Sequence, residues 1–183
     1  MKNFSVSSLC LKSNKGFTLL EVIIAIALLI IGLISLMVLV RATISASSVS
    51  SSRLLAANLA REGIELVRGI RDTNWLQGQA WDTNIKGTGN ERAGIIDYND
   101  FDQLTQYFNP PPADVEACGS ACQLYKENNF YSHMATGTAV PFYRLILLDK
   151  ISPDQLQVTS QVKWIERGRT HILEVVSHLY EWQ

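Results

Sequence analysis

Residues 15–40 read KGFTLLEVIIAIALLIIGLISLMVLV, a lysine and a glycine followed by an apolar run that contains one carboxylate, Glu21. Between Val22 and Val40 there is no charged side chain. At a helical rise of about 1.5 Å per residue, the stretch from Thr18 to Val40 covers roughly 34 Å, enough to cross a bilayer core. The segment therefore predicts a membrane-spanning helix, in which Glu21 is a charge that needs a physical reason.

The charge of the chain is unevenly distributed along its 183 residues, although the formal net charge is only −1. Residues 1–16 contain Lys2, Lys12 and Lys15 and no acidic residue, whereas the remainder carries 13 basic against 17 acidic residues. A basic start ahead of an apolar span orients that end toward the cytoplasm. We therefore expect the rest of the chain to lie outside the cytoplasmic membrane, where its length suits one ordinary domain.

Two general interpretations of the apolar segment compete. A secretory signal peptide has an apolar stretch of about 7 to 15 residues, which is shorter than this one, although the small residues at Ala42 and in Ser45–Ser47 leave cleavage there open. An ordinary uncleaved anchor is the other. Neither explains Glu21, since a carboxylate at full membrane depth costs about 2.5 to 3.5 kcal/mol.

Residues 15–22, KGFTLLEV, resemble the processing site of type IV prepilins and of the related pseudopilins of type II secretion. In that family a membrane peptidase cuts after the glycine and methylates the new terminal phenylalanine. The resemblance implies cleavage between Gly16 and Phe17 and N-methylation of Phe17. It also implies that Glu21 pairs with the terminal amine of a neighbouring subunit. The alternative for Glu21 is that its side chain reaches the lipid headgroups.

The same resemblance implies partners and a location. The partners are a prepilin peptidase/methyltransferase, other pilin subunits and, before assembly, the lipid of the bacterial cytoplasmic membrane. The chain would be a single-pass protein with a cytoplasmic N-terminus, and later a subunit of a pilus or pseudopilus with its head outside the cytoplasm.

Within this class, the long leader and the lack of a widely separated cysteine pair favour a minor pilin over a major one. A type II secretion pseudopilin is the alternative in the same class. A single-span membrane protein with an exterior binding or sensing domain is the alternative from another class.

The expected fold class is α+β, with a long N-terminal helix and a pilin-like head that contains an antiparallel sheet. We expect a basic leader at 1–16, a hydrophobic helix at 17–40, the outer half of the same helix at 41–72 and the head at 73–183. Apolar residues at spacings of three and four predict that the helix continues past Val40, and a glycine-rich stretch after Asn74 predicts its end near Asp72.

Periodicity is clearest in the last part of the chain. The apolar run at 142–148 predicts a central strand, and residues 156–164 alternate between apolar and polar side chains with the period of a half-buried strand. Residues 166–169 supply a turn, and residues 170–182 a returning strand. These features predict an antiparallel sheet of at least three strands.

Cys118 and Cys122 lie four residues apart, and a turn or one helical turn brings cysteines at that spacing within reach of a disulfide. In an oxidising exterior the pair could close a small ring, although so short a loop gains little from the loss of chain entropy. Two free thiols are the alternative.

Nothing in the sequence predicts a catalytic centre or a cofactor. His171 and His178 are seven apart, so that on one strand they face opposite sides. The stretch from Asp97 resembles the start of a calcium loop, but its fifth position is Phe101 and no downstream glutamate completes it. We expect no enzyme activity and no metal.

Nucleic acid is an unlikely partner on the same grounds. No basic patch with interleaved aromatic residues occurs, and Arg167 and Arg169 at one turn would suffice only for weak contact.

Overall fold

The computed structural model describes residues 16–85, 91–99 and 104–181, and the basic leader up to Lys15 lies outside them. The chain divides into two compact units, one up to Ala46 and one from Ser47 onward. The described part of the first unit is a helix with exposed side chains, whereas the second unit has a packed hydrophobic core.

A single helix, α1 (Leu19–Leu76), provides 58 residues and confirms the long N-terminal helix. It ends at Leu76, so the predicted end near Asp72 is wrong. The reason is Asn74, whose side-chain amide donates to the carbonyl oxygens of Trp81 at 3.1 Å and Thr83 at 2.7 Å. These bonds hold the turn that follows against the last turn of the helix. No sequence pattern predicts them.

In the first unit, the α1 side chains from Leu19 to Val40 are exposed on every side of the helix. Among the described residues, α1 is the one helix long and apolar enough to cross a membrane. A helix that is apolar all round requires lipid or other apolar helices around it, since water cannot solvate it favourably.

The second unit contains a seven-stranded antiparallel sheet, which confirms the α+β fold class. The strands are β1 (Glu91–Ile95), β2 (Gln106–Phe108), β3 (Gln123–Glu127), β4 (Phe130–Ser132), β5 (Thr138–Ser152), β6 (Gln155–Glu166) and β7 (Arg169–Tyr180). β5 is central and pairs with β6 along one edge, while β1 and β3 share its other edge. β2 pairs with β1, β4 with β3, and β7 with β6.

The three strands that periodicity predicted are β5, β6 and β7. β6 and β7 pair without a break from Gln155–Tyr180 to Glu166–Arg169. The turn between them places Arg167 and Gly168 at φ of 52° and 74°. Two successive residues with positive φ form the hairpin turn whose twist matches that of the paired strands. The four shorter strands, β1 to β4, have too few residues for a recognisable period.

One face of the sheet packs against the part of α1 that belongs to the second unit. The buried α1 side chains recur at helical spacing and meet alternate side chains of β5 and β6, as expected for a helix on a sheet. They include Ala56, Leu59, Ala60, Ile64, Val67 and Ile70 on α1 and Phe142, Ile146, Leu148, Val158, Val162 and Trp164 on the strands.

Gly63 lies in the middle of this interface and sets how closely the helix approaches the sheet. A Cβ atom built on Gly63 would lie 2.7 Å from Cδ1 of Ile146 and 3.0 Å from Oγ of Ser160. The first distance is shorter than real Cβ contacts and the second is tight, so any larger residue at position 63 would force Ile146 or the helix to shift. Gly69, two turns later and exposed, has no atom within 4 Å of such a Cβ.

The opposite face of the sheet is covered in part by a short helix, α2 (Val115–Cys118), and the 3₁₀ turn Gly119–Cys122 that follows. Asp114 caps α2 by accepting from the backbone of Glu116 and Ala117 at 2.9 and 2.8 Å. In the structure Cys118 and Cys122 are joined by a disulfide, with Cα atoms 5.8 Å apart. Together, α2 and the 3₁₀ turn bury Val115 and Cys122 against Leu145 of β5.

A pair of glycine substitutions tests the close approach. Gly63→Ala should lower the free energy of unfolding of the detergent-solubilised chain, because overpacking costs about 1–3 kcal/mol and exceeds the gain of about 1 kcal/mol from removing a helical glycine. Gly69→Ala is the matched control, and it should raise the free energy of unfolding by up to about 1 kcal/mol. Chemical unfolding followed by tryptophan fluorescence measures both. Equal stabilisation by the two substitutions would show that the interface has room.

Candidate functional site

The residues that carry the processing resemblance lie at the start of the first unit. Gly16 and Phe17 precede α1 and are not helical. Phe17 is 80% exposed, and no atom lies within 4 Å of the position that a Cβ on Gly16 would take. The peptide bond between Gly16 and Phe17 is therefore uncovered by any described part of the chain, as a bond that a protease must reach has to be.

Thr18 immediately precedes α1 and caps it. Its side-chain Oγ1 accepts from the backbone N–H of Glu21 at 3.3 Å, and its carbonyl oxygen accepts from the N–H of Val22 at 3.2 Å. A threonine followed three residues later by glutamate is the spacing of a capping box, in which the side chain satisfies an N–H that the helix leaves unpaired. The sequence Thr18-Leu19-Leu20-Glu21 contains this signal, which the sequence analysis missed.

Glu21 lies in the first turn of α1, and its side chain is exposed. A carboxylate in the first turn is stabilised by the N–H groups and the positive end of the helix dipole, typically by about 0.3–1 kcal/mol. Within the described ranges, from Gly16 onward, Glu21 makes no ion pair. The start of the helix therefore favours a negative charge at this position, without supplying a cation for it.

The Asp97 side chain lies against His133. It is buried, its Oδ1 lies 2.7 Å from Nδ1 of His133, and both carboxylate oxygens lie 3.0 Å from the backbone nitrogen of His133. Asp100 and Asp102 lie outside the described residues. In the part of the chain that the structure describes, no group of three or more metal-ligating side chains comes together.

Arg144 of β5 joins Asp97 and His133 in the core. Its guanidinium donates to the carbonyl oxygens of Ile96 at 2.6 Å and Leu59 at 3.3 Å. The same group lies 3.3 Å from a carboxylate oxygen of Glu62 on α1 and 3.7 Å from Asp97. We call Glu62, Asp97, His133 and Arg144 the buried charge cluster.

The buried charge cluster has no signature in the sequence. Its members are 11 to 82 residues apart in the chain, and only the fold of the head brings all four to one place. No local spacing could have signalled it, because the hydrogen bonds link α1 to β5 and to the segment that follows β1.

The other two histidines stay apart, as expected from their spacing on β7. The His171 ring stacks on Trp164 with ring centroids 5.1 Å apart, whereas Nδ1 of His178 lies 3.1 Å from the side-chain amide of Gln155. They therefore do not form a joint site.

Comparison with known families gives one match. The family described as "Prokaryotic N-terminal methylation motif" matches residues 11–38, a range that includes Gly16, Phe17 and Glu21. No curated protein and no solved structure matches the chain. The role of the head is therefore argued from its fold and its contacts alone.

The matched motif marks a pilin-like structural precursor, a class that is typically not enzymatic. It implies processing by a prepilin peptidase and assembly with other pilins in general, and an apolar helix at this place fits membrane insertion. Together, the methylation motif at residues 11–38, the long apolar helix and the antiparallel sheet that follows it fit a type IV prepilin-like protein.

Proposed function

We propose that this chain is a structural subunit of a type IV pilus-like filament, inserted into the cytoplasmic membrane as a prepilin. A prepilin peptidase cuts between Gly16 and Phe17, the new amine of Phe17 is methylated, and the subunit assembles through the apolar part of α1. The observation that carries the proposal is the methylation motif at residues 11–38, which coincides with the uncovered bond ahead of α1.

The proposed cut suits the local chemistry. Gly16 has no side chain and can adopt an extended conformation in a peptidase cleft at no steric cost. Phe17 lies just before the helix and is 80% exposed, so its ring can anchor the new terminus at the membrane interface. Methylation leaves a secondary amine, which still carries a positive charge.

Glu21 then has a partner from another subunit. Two opposite charges about 4 Å apart attract each other by about 1 kcal/mol in water and by about 4 kcal/mol at an effective dielectric constant of about 20. In a filament core formed by apolar helices, the Phe17 amine of one subunit and Glu21 of the next would interact in the poorly solvated regime. A misplaced subunit would leave both charges unpaired, so the pair fixes the axial register.

The orientation follows from the charges. Lysines ahead of the apolar helix hold the N-terminus in the cytoplasm, and the unit from Ser47 onward becomes the extracytoplasmic head. Among filament subunits we favour a minor pilin, with a type II secretion pseudopilin as the alternative. The genes that neighbour this one distinguish a pilus from a secretion system.

The N-terminus of the protein isolated from membranes tests the processing step. Mass spectrometry should find a chain that begins with N-methylated Phe17, and Gly16→Val should leave the full precursor, because a branched side chain blocks the cut. Gly32→Ala is the matched control, since Gly32 has no atom within 4 Å of a built Cβ and lies inside α1. An intact Met1 start in the unsubstituted protein would refute the proposal and leave a single-span anchor.

Substitution of Glu21 separates its charge from its place in the helix. Glu21→Ala and Glu21→Gln should both be cleaved normally, yet both should enter filaments at least about tenfold less than the unsubstituted chain, since 1.4 kcal/mol of lost pairing is tenfold in an equilibrium constant. Immunoblots of sheared filaments against membrane-retained subunit measure the ratio.

The comparison between the two variants identifies the physical cause. Glutamine retains the capping position three residues after Thr18 but carries no charge. If Glu21→Gln assembled normally while Glu21→Ala did not, helix capping rather than charge pairing would be the role of Glu21.

A further inference from the structure

His133 makes two hydrogen bonds that a neutral imidazole cannot make together. Nδ1 lies 2.7 Å from a carboxylate oxygen of Asp97, and Nε2 lies 3.1 Å from the carbonyl oxygen of Arg144. A carbonyl oxygen and an ionised carboxylate only accept hydrogen bonds, so both ring nitrogens must donate. Neutral imidazole has one donor nitrogen and one acceptor nitrogen, whereas the charged ring has two donors.

The Asp97 carboxyl group is ionised in this arrangement. Burial by itself raises the pKa of Asp97, but the hydrogen bonds and charge of His133, together with the charge of Arg144, lower that pKa by more, to below its ordinary 3.8. Both carboxylate oxygens also accept from the backbone N–H of His133. If Asp97 were protonated, its O–H would face the N–H groups of His133, which are donors and cannot accept it.

The charges balance when the ring of His133 is charged. Arg144 and His133 then carry two positive charges, and Asp97 and Glu62 carry two negative ones, with distances of 2.7 to 3.7 Å between the paired atoms. The side chains of Asp97 and Arg144 are fully buried and that of His133 is 2% exposed, while Glu62 is 37% exposed. Unbalanced charge at such depth is costly, so the count itself favours the charged ring.

We infer that His133 carries protons on both ring nitrogens in the folded head, and that this charged ring makes the buried charge cluster a pH-sensitive clamp. The clamp joins α1 through Leu59 and Glu62, the segment after β1 through Asp97, and β5 through Arg144. The inference concerns the head alone and does not depend on the proposed processing or assembly.

The direction of the pH effect follows from which form the fold holds. The fold satisfies only the doubly protonated ring, because both ring nitrogens of His133 face hydrogen-bond acceptors. Deprotonation leaves one buried acceptor without a donor and the cluster with an excess negative charge.

Asp97 sets the opposite limit. Because the pKa of Asp97 is lower in the folded state than the ordinary 3.8, its stabilising effect is present above about pH 3.8 and is lost as the pH falls through the folded value. The cluster is therefore complete only while Asp97 is ionised and both ring nitrogens of His133 carry protons.

Nitrogen NMR of the histidine rings tests the protonation state directly. The full chain, labelled with ¹⁵N-histidine and held in detergent micelles, has three histidines, and the variants His171→Gln and His178→Gln assign the other two. At pH 7.5 both ring nitrogens of His133 should show attached protons, whereas the urea-unfolded chain should show neutral rings. One unprotonated ring nitrogen in folded His133 at pH 7.5 would overturn the inference.

Glu62→Gln tests the charge balance without opening the core, since Glu62 is partly exposed and glutamine keeps its shape. His133 in this variant should lose its second proton at a lower pH than in the unsubstituted chain. Glu65→Gln is the matched control, because Glu65 pairs with Arg68 on the exposed side of α1, and it should leave the titration of His133 unchanged. Equal behaviour of the two variants would contradict the balanced cluster.

Thermal unfolding gives an independent measure. The Tm of the unsubstituted chain should fall between pH 6 and pH 8.5 by more than the Tm of His133→Gln, because glutamine has no proton to lose in that range. The Tm of the unsubstituted chain should also fall from pH 5 to pH 3 by more than that of Asp97→Asn. Parallel pH profiles in the variant and the unsubstituted chain would refute the clamp even if both variants are less stable overall.

Discussion

The rest of the structure depends on the change of surface along α1. From Leu19 to Val40 the helix has exposed and almost entirely apolar side chains on every side, whereas from Ala56 onward it buries one face against the sheet. A helix apolar on all sides is stable only in lipid or among other apolar helices, and a helix with one apolar face needs a domain of its own. The same helix α1 therefore contains a part that needs an apolar environment and a part whose apolar face is covered by the sheet.

The close approach at Gly63 explains why charges could be buried in the head at all. Gly63 brings α1 near enough for the Arg144 guanidinium on β5 to reach the Leu59 carbonyl and the Glu62 carboxylate. Once Arg144 is in the core, it requires an anion, and Asp97 with His133 completes the set. A buried ionic group contributes little net stability by itself, but its removal leaves a partner unsatisfied. The cluster therefore fixes one arrangement of helix and sheet more than it strengthens the core.

The parts of the fold that the sequence predicted are those that local pattern determines. The apolar run after Gly16, the alternation along β6 and the turn before β7 all depend on residues within a few positions of each other, and all three are confirmed. The contacts of Arg144 depend on residues far apart in the chain, so no local pattern predicts them. The bonds of Asn74 and the β3–β4 hairpin with its turn at Asn128 and Asn129 are local, but neither involves a segment long enough to show a period. The capping of α1 by Thr18 could have been predicted, because Thr18 and Glu21 have the spacing of a capping box. These residues were interpreted only as part of the processing motif.

The two units treat charge in opposite ways, and this contrast bears on the role of Glu21. In the head, each buried charged group of the cluster finds its counterpart within the same chain, at 2.7 to 3.7 Å. In the first unit, Glu21 stands in the most apolar part of the protein, and the described residues offer it backbone N–H groups but no cation. Helix capping alone would be served by an uncharged glutamine, which avoids the cost of a carboxylate near lipid. The proposed Phe17 amine of a neighbouring subunit would supply a cation for this carboxylate, whereas helix capping alone gives no reason for a charged side chain at this position.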